Sequence, residues 1–541
     1  MNDDEKIVSE LKKNILNWYP FEKSDEILEI GYNEITEVFT EKCKEVVLVE
    51  PNLEEENVLN EPNLNIIKQN LKSAQISKKF DYIILIGVIG RIEALYGERI
   101  ELVDLIRFLE QYLKKEGKFL IAVDNKFGLR YFSGNPDNIL NEKFKSLIGY
   151  HDEKEPIETF TKKSLEKKLN NIFYCTNFYY PLPDYKYPNV IFSDDYYPQY
   201  DTIDKYMPYC TDKSTLIMNE IDVFREILKD NEEMFTFFAN SFLVEAGRKK
   251  TPIKYKYVSF NNFRKPEYRL ITKIADKYVE KQAMNSSANE HYSSIKKNIE
   301  ILKNENINIL ECDKDGKIQS TYINQEHMLS NVITNLLEEN KIAQVEEILN
   351  KYIEIINRDC HAEEDYENSV FGKYNIDIPD KAILKELNFR KNGMWDMTFN
   401  NCFYVNDEFY FFDQEWNEEN LPSEYILYHS IVYTISLRRF ININDWLDKY
   451  GLTKYLDVFK ELDDKIQESI RDERIWTIYK QNSFIDIDAT KQEIENLNIR
   501  NKAIQEAFDN LKAEYDEYRA KIEGSKSYKL YRTAKKIIKR K

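Results

Sequence analysis

The sequence predicts an α/β fold in its first part, then an α+β region, then a helical C-terminal segment. Three observations support this prediction. Short apolar runs alternate with helical patterns over the first ~205 residues, which is typical of a parallel sheet with covering helices. Consecutive antiparallel strand patterns and one helix follow, up to residue ~310. The last ~60 residues carry apolar side chains at heptad spacing.

Length and composition limit the possible classes of protein. A chain of 541 residues is too long for one core and predicts about two to four domains. The net charge of -18 argues against nucleic acid as the main partner, because phosphate contacts need a basic surface. The 6 cysteines contain no CxxC pair, which favours a reducing compartment over a disulfide framework or zinc site. No window holds the ~18 apolar residues that a spanning helix needs, and the N-terminus is not a signal peptide, so we expect a cytoplasmic protein.

The first region, residues 1–205, contains five predicted strands. They are EILEI, EVVLVE, NIIKQN, YIILIGV and KFLIAVDN. The fourth is almost wholly apolar, as a central parallel strand should be. An amphipathic pattern predicts a helix over 101–117 that ends at Gly117. The Tyr- and Pro-rich run over 178–200 has two interpretations, stacking on a sugar or packing between domains.

The second region, residues 206–480, begins with antiparallel strands. KYKYVSF, YRLITKI and KYVEKQAM are the strand candidates, and SANEHYSSIKKNIEILKN is the helix behind them. From ~320 onward the sequence predicts mostly helices, interrupted by one hairpin near 402–411. The third region, residues 481–541, is predicted to be a coiled coil with a basic tail.

The first two strands end in residues suited to a nucleotide. LEIG places Glu29 and Gly31 at the end of the first strand, and VVLVEPN places Glu50 at the end of the second. A glycine turn lets backbone approach a nucleotide, and the acid takes the ribose hydroxyls. With the phrases FDYIILIGV, IAVDNKFGLRYFSGNPD and FYYPLPDYKYPNVIFSDD, this order resembles the class I S-adenosylmethionine-dependent methyltransferases, which have a Rossmann-like sheet. The resemblance covers residues ~25 to ~200. It implies that Glu29, Gly31 and Glu50 contact S-adenosylmethionine, and that Asn70 lies near the adenine.

The turn after the first strand departs from that family's pattern. Gly31 is followed by Tyr32, Asn33 and Glu34, where the family has two or three glycines. Side chains therefore occupy positions where backbone should meet the cofactor. A methyltransferase fold that is retained without cofactor binding is the alternative interpretation.

The stretch WDMTFNNCFYVNDEFYFFDQEW carries a second pattern. Asp396 is followed five positions later by Asn401, and Asp413 lies beyond the predicted hairpin. Phosphoryl transfer needs one carboxylate to orient the acceptor hydroxyl and further oxygens to hold Mg²⁺ on the phosphates. The pattern, including Glu415, resembles the aminoglycoside-phosphotransferase-like kinases. The resemblance implies that Asp396 is catalytic and that Asn401 and Asp413 bind Mg²⁺, although Met394 stands where a His is usual.

The strands upstream of this stretch resemble the other half of such a kinase. The sequence Val-Glu-Lys ends in Lys281, which would hold the ATP phosphates. Glu290, on the following helix, would hold Lys281 as an ion pair. The loop SFNNFRKPEYR has no glycine, so Arg264 and Lys265 are either phosphate contacts or part of a solvated turn.

The C-terminal region predicts association. The seam consists of Ile494, Leu497, Asn501, Ile504, Phe508, Leu511, Tyr515, Tyr518 and Ile522. Such a seam with one polar core position predicts a dimeric or trimeric coiled coil, and a single helix packed on the body is the alternative. The tail SKSYKLYRTAKKIIKRK predicts a basic amphipathic helix on an anionic membrane surface, and a solvated disordered tail is its alternative.

The order of these regions resembles the bifunctional enzymes that cap bacterial O-antigen polysaccharides. The resemblance implies a transferase that uses S-adenosylmethionine, ATP and Mg²⁺, with a glycan or lipid-linked sugar as acceptor. It also implies a homo-oligomer at the inner face of the membrane, near glycosyltransferases. Two other interpretations stay open: a membrane-tethered scaffold for glycosyltransferases with vestigial catalytic domains, and a small-molecule methyltransferase with a structural C-terminal half.

Overall fold

The computed structural model describes residues 3–54, 59–150, 157–199, 203, 216–378, 381–475 and 487–539. The chain divides into two compact units, Met1–Ser214 with Asn219–Asn482 and Thr215–Met218 with Ser483–Lys541. The first unit contains the sheets, and the second contains two consecutive helices. The predicted region boundaries at 205/206 and 480/481 lie outside the described residues, so they stay predictions.

Five parallel strands form one end of the large sheet in the first unit. Their order is β3-β2-β1-β4-β5. The strands are β1 (Glu26–Ile30), β2 (Glu45–Val49), β3 (Leu64–Ile67), β4 (Phe80–Ile86) and β5 (Leu113–Asp124). The helices that connect and cover them are α1 (Asp3–Asn17), α2 (Thr36–Lys42), α3 (Ile92–Tyr96) and α4 (Leu102–Leu109). The last four residues of β4 are all buried, as expected for a parallel strand that is covered on both faces.

The helix predicted over 101–117 is shorter in the structure. Its apolar face is buried only as far as Leu109, where α4 ends, and β5 begins at Leu113. Gly117 lies inside β5 rather than at a helix end. A Cβ added there would come 2.9 Å from Leu113 Cδ1 and 3.0 Å from the Asp81 carbonyl oxygen. The glycine therefore permits a close approach of strands, which local periodicity could not distinguish from a helix C-cap.

Antiparallel strands extend the sheet beyond β5. They are β6 (Cys175–Leu182), β7 (Val190–Ser193) and β8 (Ser241–Gly247). The strand β8 comes last in the chain but lies between β5 and β6, antiparallel to both. The accompanying helices are α5 (Leu129–Phe132), α6 (Lys145–Ile148), α7 (Lys162–Leu169), α8 (Glu220–Asp230) and α9 (Met234–Phe238). The strand β8 thus pairs with strands of the first predicted region although it follows the predicted boundary at 205.

The same sheet continues into the second predicted region. The added strands are β9 (Tyr257–Phe260), β10 (Leu270–Ile274), β11 (Tyr278–Ala283), β12 (Cys312–Lys314) and β13 (Lys317–Thr321). They pair antiparallel in the order β9-β10-β11-β13-β12, and β9 joins them to β7. One long helix, α10 (Asn289–Asn304), follows β11. The three predicted strands and the predicted helix therefore lie where the sequence pattern put them.

A mostly helical region with its own core completes the first unit. Its helices are α11 (Leu329–Glu338), α12 (Ile342–Ile356), α13 (Val370–Lys373), α14 (Ser423–Tyr433), α15 (Ile443–Lys449) and α16 (Leu456–Ile470). Its strands are β14 (Cys360–His361), β15 (Phe389–Gly393), β16 (Cys402–Val405), β17 (Glu408–Phe411) and β18 (Glu418–Pro422). The strands β16 and β17 form the hairpin that the sequence predicted.

The second unit consists of α17 (Ile487–Gly524) and α18 (Lys526–Ile538). The apolar residues of the predicted seam are 38% to 65% exposed on α17 in the single chain. The basic segment after Gly524 is helical, as predicted, with Leu530, Tyr531, Ile537 and Ile538 exposed. None of the helices in the described ranges is long and apolar enough to cross a membrane.

Candidate functional site

A cavity of about 590 Å³ opens at the carboxyl ends of β1, β4 and β5. Its lining residues come from the segments 32–35, 86–91, 122–126, 138–150, 158–160 and 185–187, together with Lys12 and Tyr131. Ligands of open α/β sheets bind at the carboxyl ends of the strands, because the loops there are free to take ligand-specific side chains. The cavity is therefore the first candidate site.

The turn after β1 forms one wall of this cavity. Gly31 has φ +84°, a conformation that glycine adopts at little cost. The next residues, Tyr32, Asn33 and Glu34, all line the cavity. The loop therefore carries side chains at the positions where the sequence indicated them. Glu34 is neutralised by Lys12 of α1 at 2.6 Å. The negative charge of Glu34 therefore does not stand alone in the cavity.

Glu29 lies beneath this turn and not in the cavity wall. Its side chain is 1% exposed, and its carboxyl oxygens have no hydrogen-bond partner among the described residues. The Thr36 hydroxyl, one turn away, donates to the Asn33 carbonyl at 2.8 Å. Burial, reinforced by the nearby Glu50, raises the pKa of Glu29 well above its ordinary value. Glu29 is therefore buried beneath the turn and does not line the cavity.

Glu50 ends β2, where the sequence predicted a ribose contact. Its carboxylate accepts hydrogen bonds from the backbone N–H groups of Tyr32 (2.9 Å) and Asn52 (3.1 Å). It also forms an ion pair with Arg91, from the turn after β4. The Glu50 side chain is 2% exposed and that of Arg91 is 44% exposed. Arg91, which sequence reasoning missed, thus covers the carboxylate from the solvent side.

Asn70 does not reach the cavity. It lies in the turn after β3, where its Oδ1 accepts from the Ser73 N–H at 3.1 Å. Its side chain packs against Gly97, and a Cβ on that glycine would come 2.6 Å from the Asn70 amide carbon. The predicted adenine contact is therefore not among the residues that line the cavity.

The far wall of the cavity carries a polar chain that sequence reasoning also missed. Asn138 donates to Asp124 at 2.9 Å, and Lys186 donates to Asn138 at 2.7 Å. Burial raises the pKa of Asp124 above its ordinary value, although Lys186 opposes this. The signal in the sequence was the acid at the carboxyl end of the fifth predicted strand.

A second candidate site is built around Lys281, whose side chain is buried on β11. Lys281 forms an ion pair with Asp413, and its Nζ lies 3.3 Å from Glu311 and 3.4 Å from Glu415. Burial lowers the pKa of Lys281, but the three carboxylates more than offset this and raise it. Lys281 is therefore charged and shared among three acids.

Arg264, from the loop between β9 and β10, supplies the second cation of this site. It forms an ion pair with Glu415 and lies over the ring of Trp416. His291 Nε2 is 3.6 Å from the same carboxylate. Burial alone would raise the pKa of Glu415, but Arg264 and Lys281 hold it well below its ordinary range. Lys265 lies outside this group and donates to the Ser469 carbonyl at 2.5 Å.

Asp396 and Asn401 lie beside these acids. The Asn401 amide nitrogen donates to the Asp396 carbonyl at 3.1 Å, and Gln414 donates to the same oxygen at 3.0 Å. Burial, with the charges of Glu415 and Asp413, raises the pKa of Asp396 well above its ordinary value. Burial also raises the pKa of Asp413. The structure thus brings together Lys281, Asp396, Asn401 and Asp413, which the sequence had assigned to one site.

One feature of this site differs from the sequence-based expectation. Glu290 is exposed on α10 and is not among the carboxylates that contact Lys281. The buried face of α10 instead carries His291, Ile295, Asn298, Ile299 and Leu302, so this helix turns no acid toward β11. Met394, in place of the usual His, is fully buried.

The acids of the second site do not form a ready-made metal cage. No group of three or more His, Cys, Asp or Glu side chains in the described ranges has a geometry that could hold a metal ion. Mg²⁺ is commonly held by one or two carboxylates together with nucleotide phosphates and waters. The donor set of Asn401 and Asp413 fits that second arrangement.

Comparisons with known proteins were made for the whole chain. No protein-family model matches it, and no curated protein does. Among solved structures, the plantazolicin methyltransferase BpumL bound to SAH is 14% identical over 46% of this chain and 85% of its own, with a TM-score of 0.25. A SAM-dependent methyltransferase from Archaeoglobus fulgidus is 14% identical over 45% and 94%, with a TM-score of 0.25. Precorrin 8W decarboxylase from Methanobacterium thermoautotrophicum is 17% identical over 21% of this chain and 62% of its own, with a TM-score of 0.17.

The ion-pair group predicts a pH-dependent stability defect. Lys281→Met leaves the buried Glu311 and Glu415, and the partly exposed Asp413, with one cation fewer, which should cost about 3–5 kcal/mol at pH 7.5. Burial already raises the pKa of Glu311 and Asp413, and loss of Lys281 raises both further. A carboxyl group with a folded pKa above its unfolded value destabilises the fold only while ionised, so the defect should shrink at pH 5.

Urea unfolding of the full chain at pH 7.5 and pH 5.0 would test this expectation. The matched control is Lys277→Met, at an exposed position just before β11. Equal losses for the two variants, or a larger Lys281→Met defect at pH 5.0, would contradict the expectation.

Proposed function

We propose that this chain is a transferase of bacterial cell-surface polysaccharide synthesis that phosphorylates a sugar, with Asp396 as the catalytic residue. One observation carries the proposal. Lys281 of β11 meets Asp396, Asn401 and Asp413, more than 100 residues later in the chain, in one polar site. A carboxylate for the acceptor, oxygens for Mg²⁺ and a lysine for the phosphates are what phosphoryl transfer requires.

Each residue has a role in this proposal. Asp396 orients the sugar hydroxyl and accepts its proton as a general base. Lys281 holds the phosphates of ATP. Asn401 uses its amide nitrogen on the Asp396 carbonyl, which leaves its oxygen as a ligand, and Asp413 adds a carboxylate. These two oxygens would hold Mg²⁺, which neutralises phosphate charge when it is bound.

In this proposal S-adenosylmethionine binds in the first cavity. Its place at the carboxyl ends of β1, β4 and β5 and the Gly31 turn support this assignment. Glu50 fits the ribose if Arg91 moves, because Arg91 occupies the solvent side of that carboxylate. The side chain of Arg91 is 44% exposed, so its guanidinium can move into water while the ribose hydroxyls take its place on the buried Glu50 carboxylate.

The C-terminal unit would bring copies of the chain together at a membrane. The exposed seam on α17 supports a homo-oligomeric coiled coil, and the basic α18 supports contact with an anionic surface. A glycan or lipid-linked sugar acceptor and neighbouring glycosyltransferases would then be reached at the inner face of the membrane.

A scaffold for glycosyltransferases is the second candidate function. It is favoured by the internal ion pairs of both sites, Arg91 with Glu50 and Lys281 with Asp413, which satisfy charges that a ligand would otherwise meet. In that case both catalytic regions are vestigial, and the seam and tail carry the function. Loss of the Asp396 carboxylate separates the two candidates.

Asp396→Asn should abolish phosphoryl transfer and preserve nucleotide binding. Removing the general base should lower turnover about 10²- to 10⁴-fold, whereas the Mg-ATP stabilisation seen in a thermal melt should persist. Turnover is measured as transfer of labelled γ-phosphate from ATP to a sugar acceptor. The matched control is Asp407→Asn, at the exposed turn of the neighbouring hairpin. If Asp396→Asn turns over Mg-ATP as the wild type does, the scaffold is the better account.

Arg91→Ala should tighten binding of S-adenosylmethionine, because Glu50 is then free for the ribose. Glu50→Gln should weaken it, since a hydrogen bond to a charged group contributes about 1.5–3 kcal/mol, roughly ten- to a hundredfold in Kd. Isothermal titration of the full chain measures both, with Arg107→Ala as an exposed control on α4. If neither the wild type nor Arg91→Ala binds S-adenosylmethionine, the assignment of this cofactor to the cavity is wrong.

The seam should hold the oligomer together. Replacing Phe508 and Leu511 with Asp puts charge at two consecutive core positions, so the full chain should sediment as a monomer. Asn510→Asp, between the two seam positions, should leave the assembly unchanged. An unchanged sedimentation coefficient in the double variant would assign the apolar stripe to another contact.

A further inference from the structure

The buried lysine of the second site lacks the partner that the sequence assigned to it. Glu290 is exposed, and the buried face of α10 presents His291, Ile295, Asn298, Ile299 and Leu302. A buried lysine needs a carboxylate in the ligand-free protein, because an isolated buried charge is strongly unfavourable. The acid that holds Lys281 must therefore come from elsewhere in the fold.

Glu311, directly before β12, meets this need. It is 4% exposed, and its Oε1 lies 3.3 Å from Lys281 Nζ. Its other oxygen, Oε2, accepts a hydrogen bond from the backbone N–H of Asp413 at 3.1 Å. One side chain thus links the lysine of the sheet to the acid that follows the hairpin.

The backbone fixes this arrangement. The segment before Glu311 pairs with the end of β17: Leu310 N–H donates to the Phe411 carbonyl, and Phe411 N–H donates to the Asn308 carbonyl, each at 2.9 Å. This short ladder brings Glu311 opposite the residue two positions after Phe411, which is Asp413. Asp413 adopts φ +62°, a left-handed conformation that costs energy for a residue with a side chain. The hydrogen bond to Glu311 offsets part of that cost.

We propose that Glu311 is a positioning residue of the phosphoryl-transfer site, holding Lys281 and the backbone of Asp413 in register in place of a glutamate on α10. This inference rests on the proposed kinase function. Glu311 touches neither phosphate nor acceptor. It sets the orientation of the two groups that do. Its loss should therefore weaken the use of Mg²⁺ and nucleotide rather than the acceptor chemistry of Asp396.

The test uses the full chain and three variants: Glu311→Gln, Glu311→Ala and Glu290→Gln. Phosphoryl transfer is measured as a function of Mg²⁺ and ATP concentration at saturating sugar. Outer-shell partners of metal ligands typically contribute about 10- to 100-fold in metal affinity or activity. We expect Glu311→Ala to raise the apparent Mg²⁺ and ATP constants by about that factor and to change kcat less. We expect Glu311→Gln, which retains an oxygen for the Asp413 N–H, to lie between Glu311→Ala and the wild type.

Glu290→Gln should behave as the wild type. The inference is overturned if the Glu311 variants keep wild-type constants, if Glu290→Gln shows the larger defect, or if the defect falls on kcat alone. Should Glu311→Ala fail to fold, the isosteric Glu311→Gln decides. A wild type that shows no Mg-ATP stabilisation and no transfer overturns the kinase proposal itself, which is a separate outcome from an active wild type with unaffected variants.

Discussion

The buried charge group around Lys281 is the constraint on which the second site depends. Four carboxyl groups, those of Asp396, Asp413, Glu415 and Glu311, lie together, and among the described residues Lys281 and Arg264 form ion pairs with them. Burial of an unbalanced charge is unfavourable, so the raised pKa values of Asp396, Asp413 and Glu311 have a common physical cause. A bound divalent cation would offset the excess negative charge of the carboxyl groups, so this charge group is compatible with a Mg-nucleotide site.

Backbone geometry decides that these charges meet. The acids come from three separate segments of the chain, and the short ladder between residues 308–310 and Phe411 aligns two of them. Asn298 of α10 donates to the backbone carbonyls of Gln414 and Glu415, each at 3.2 Å, so the helix holds the acidic segment through its main chain. The role of α10 is therefore structural support of the segment, while the charge that balances Lys281 comes from outside the helix. A polar network of this kind fixes loop positions because each member would be costly to leave unpaired.

The sequence was sufficient for local elements and for residues within one motif. The strand patterns of β1, β2, β4, β9, β10 and β11 are local, and the spacing of Asp396, Asn401 and Asp413 follows from one hairpin. The predicted helix to Gly117, the pairing of β8 in the first sheet and the partners Arg91 and Glu311 were out of reach for a different reason. Each depends on contacts between distant segments, and periodicity reports only which face of an element is apolar. Glu290 illustrates the limit, since its spacing from Lys281 could not reveal that its side of α10 faces solvent.

Both sites contain an internal ion pair, but the free-energy cost of separating that pair differs between them. In each, an internal cation pairs with the acid that a nucleotide site would use, Arg91 with Glu50 and Lys281 with Asp413. Arg91 is 44% exposed, so its guanidinium can move into water while a ribose hydroxyl takes its place on the buried Glu50 carboxylate. Lys281 is buried with Glu311 and Glu415, and separating it from them would leave buried charges unpaired. The first site can therefore open by moving one side chain. In the second site Lys281 has to stay in place. The phosphates would bind to Lys281 while it keeps its ion pairs with the carboxylates.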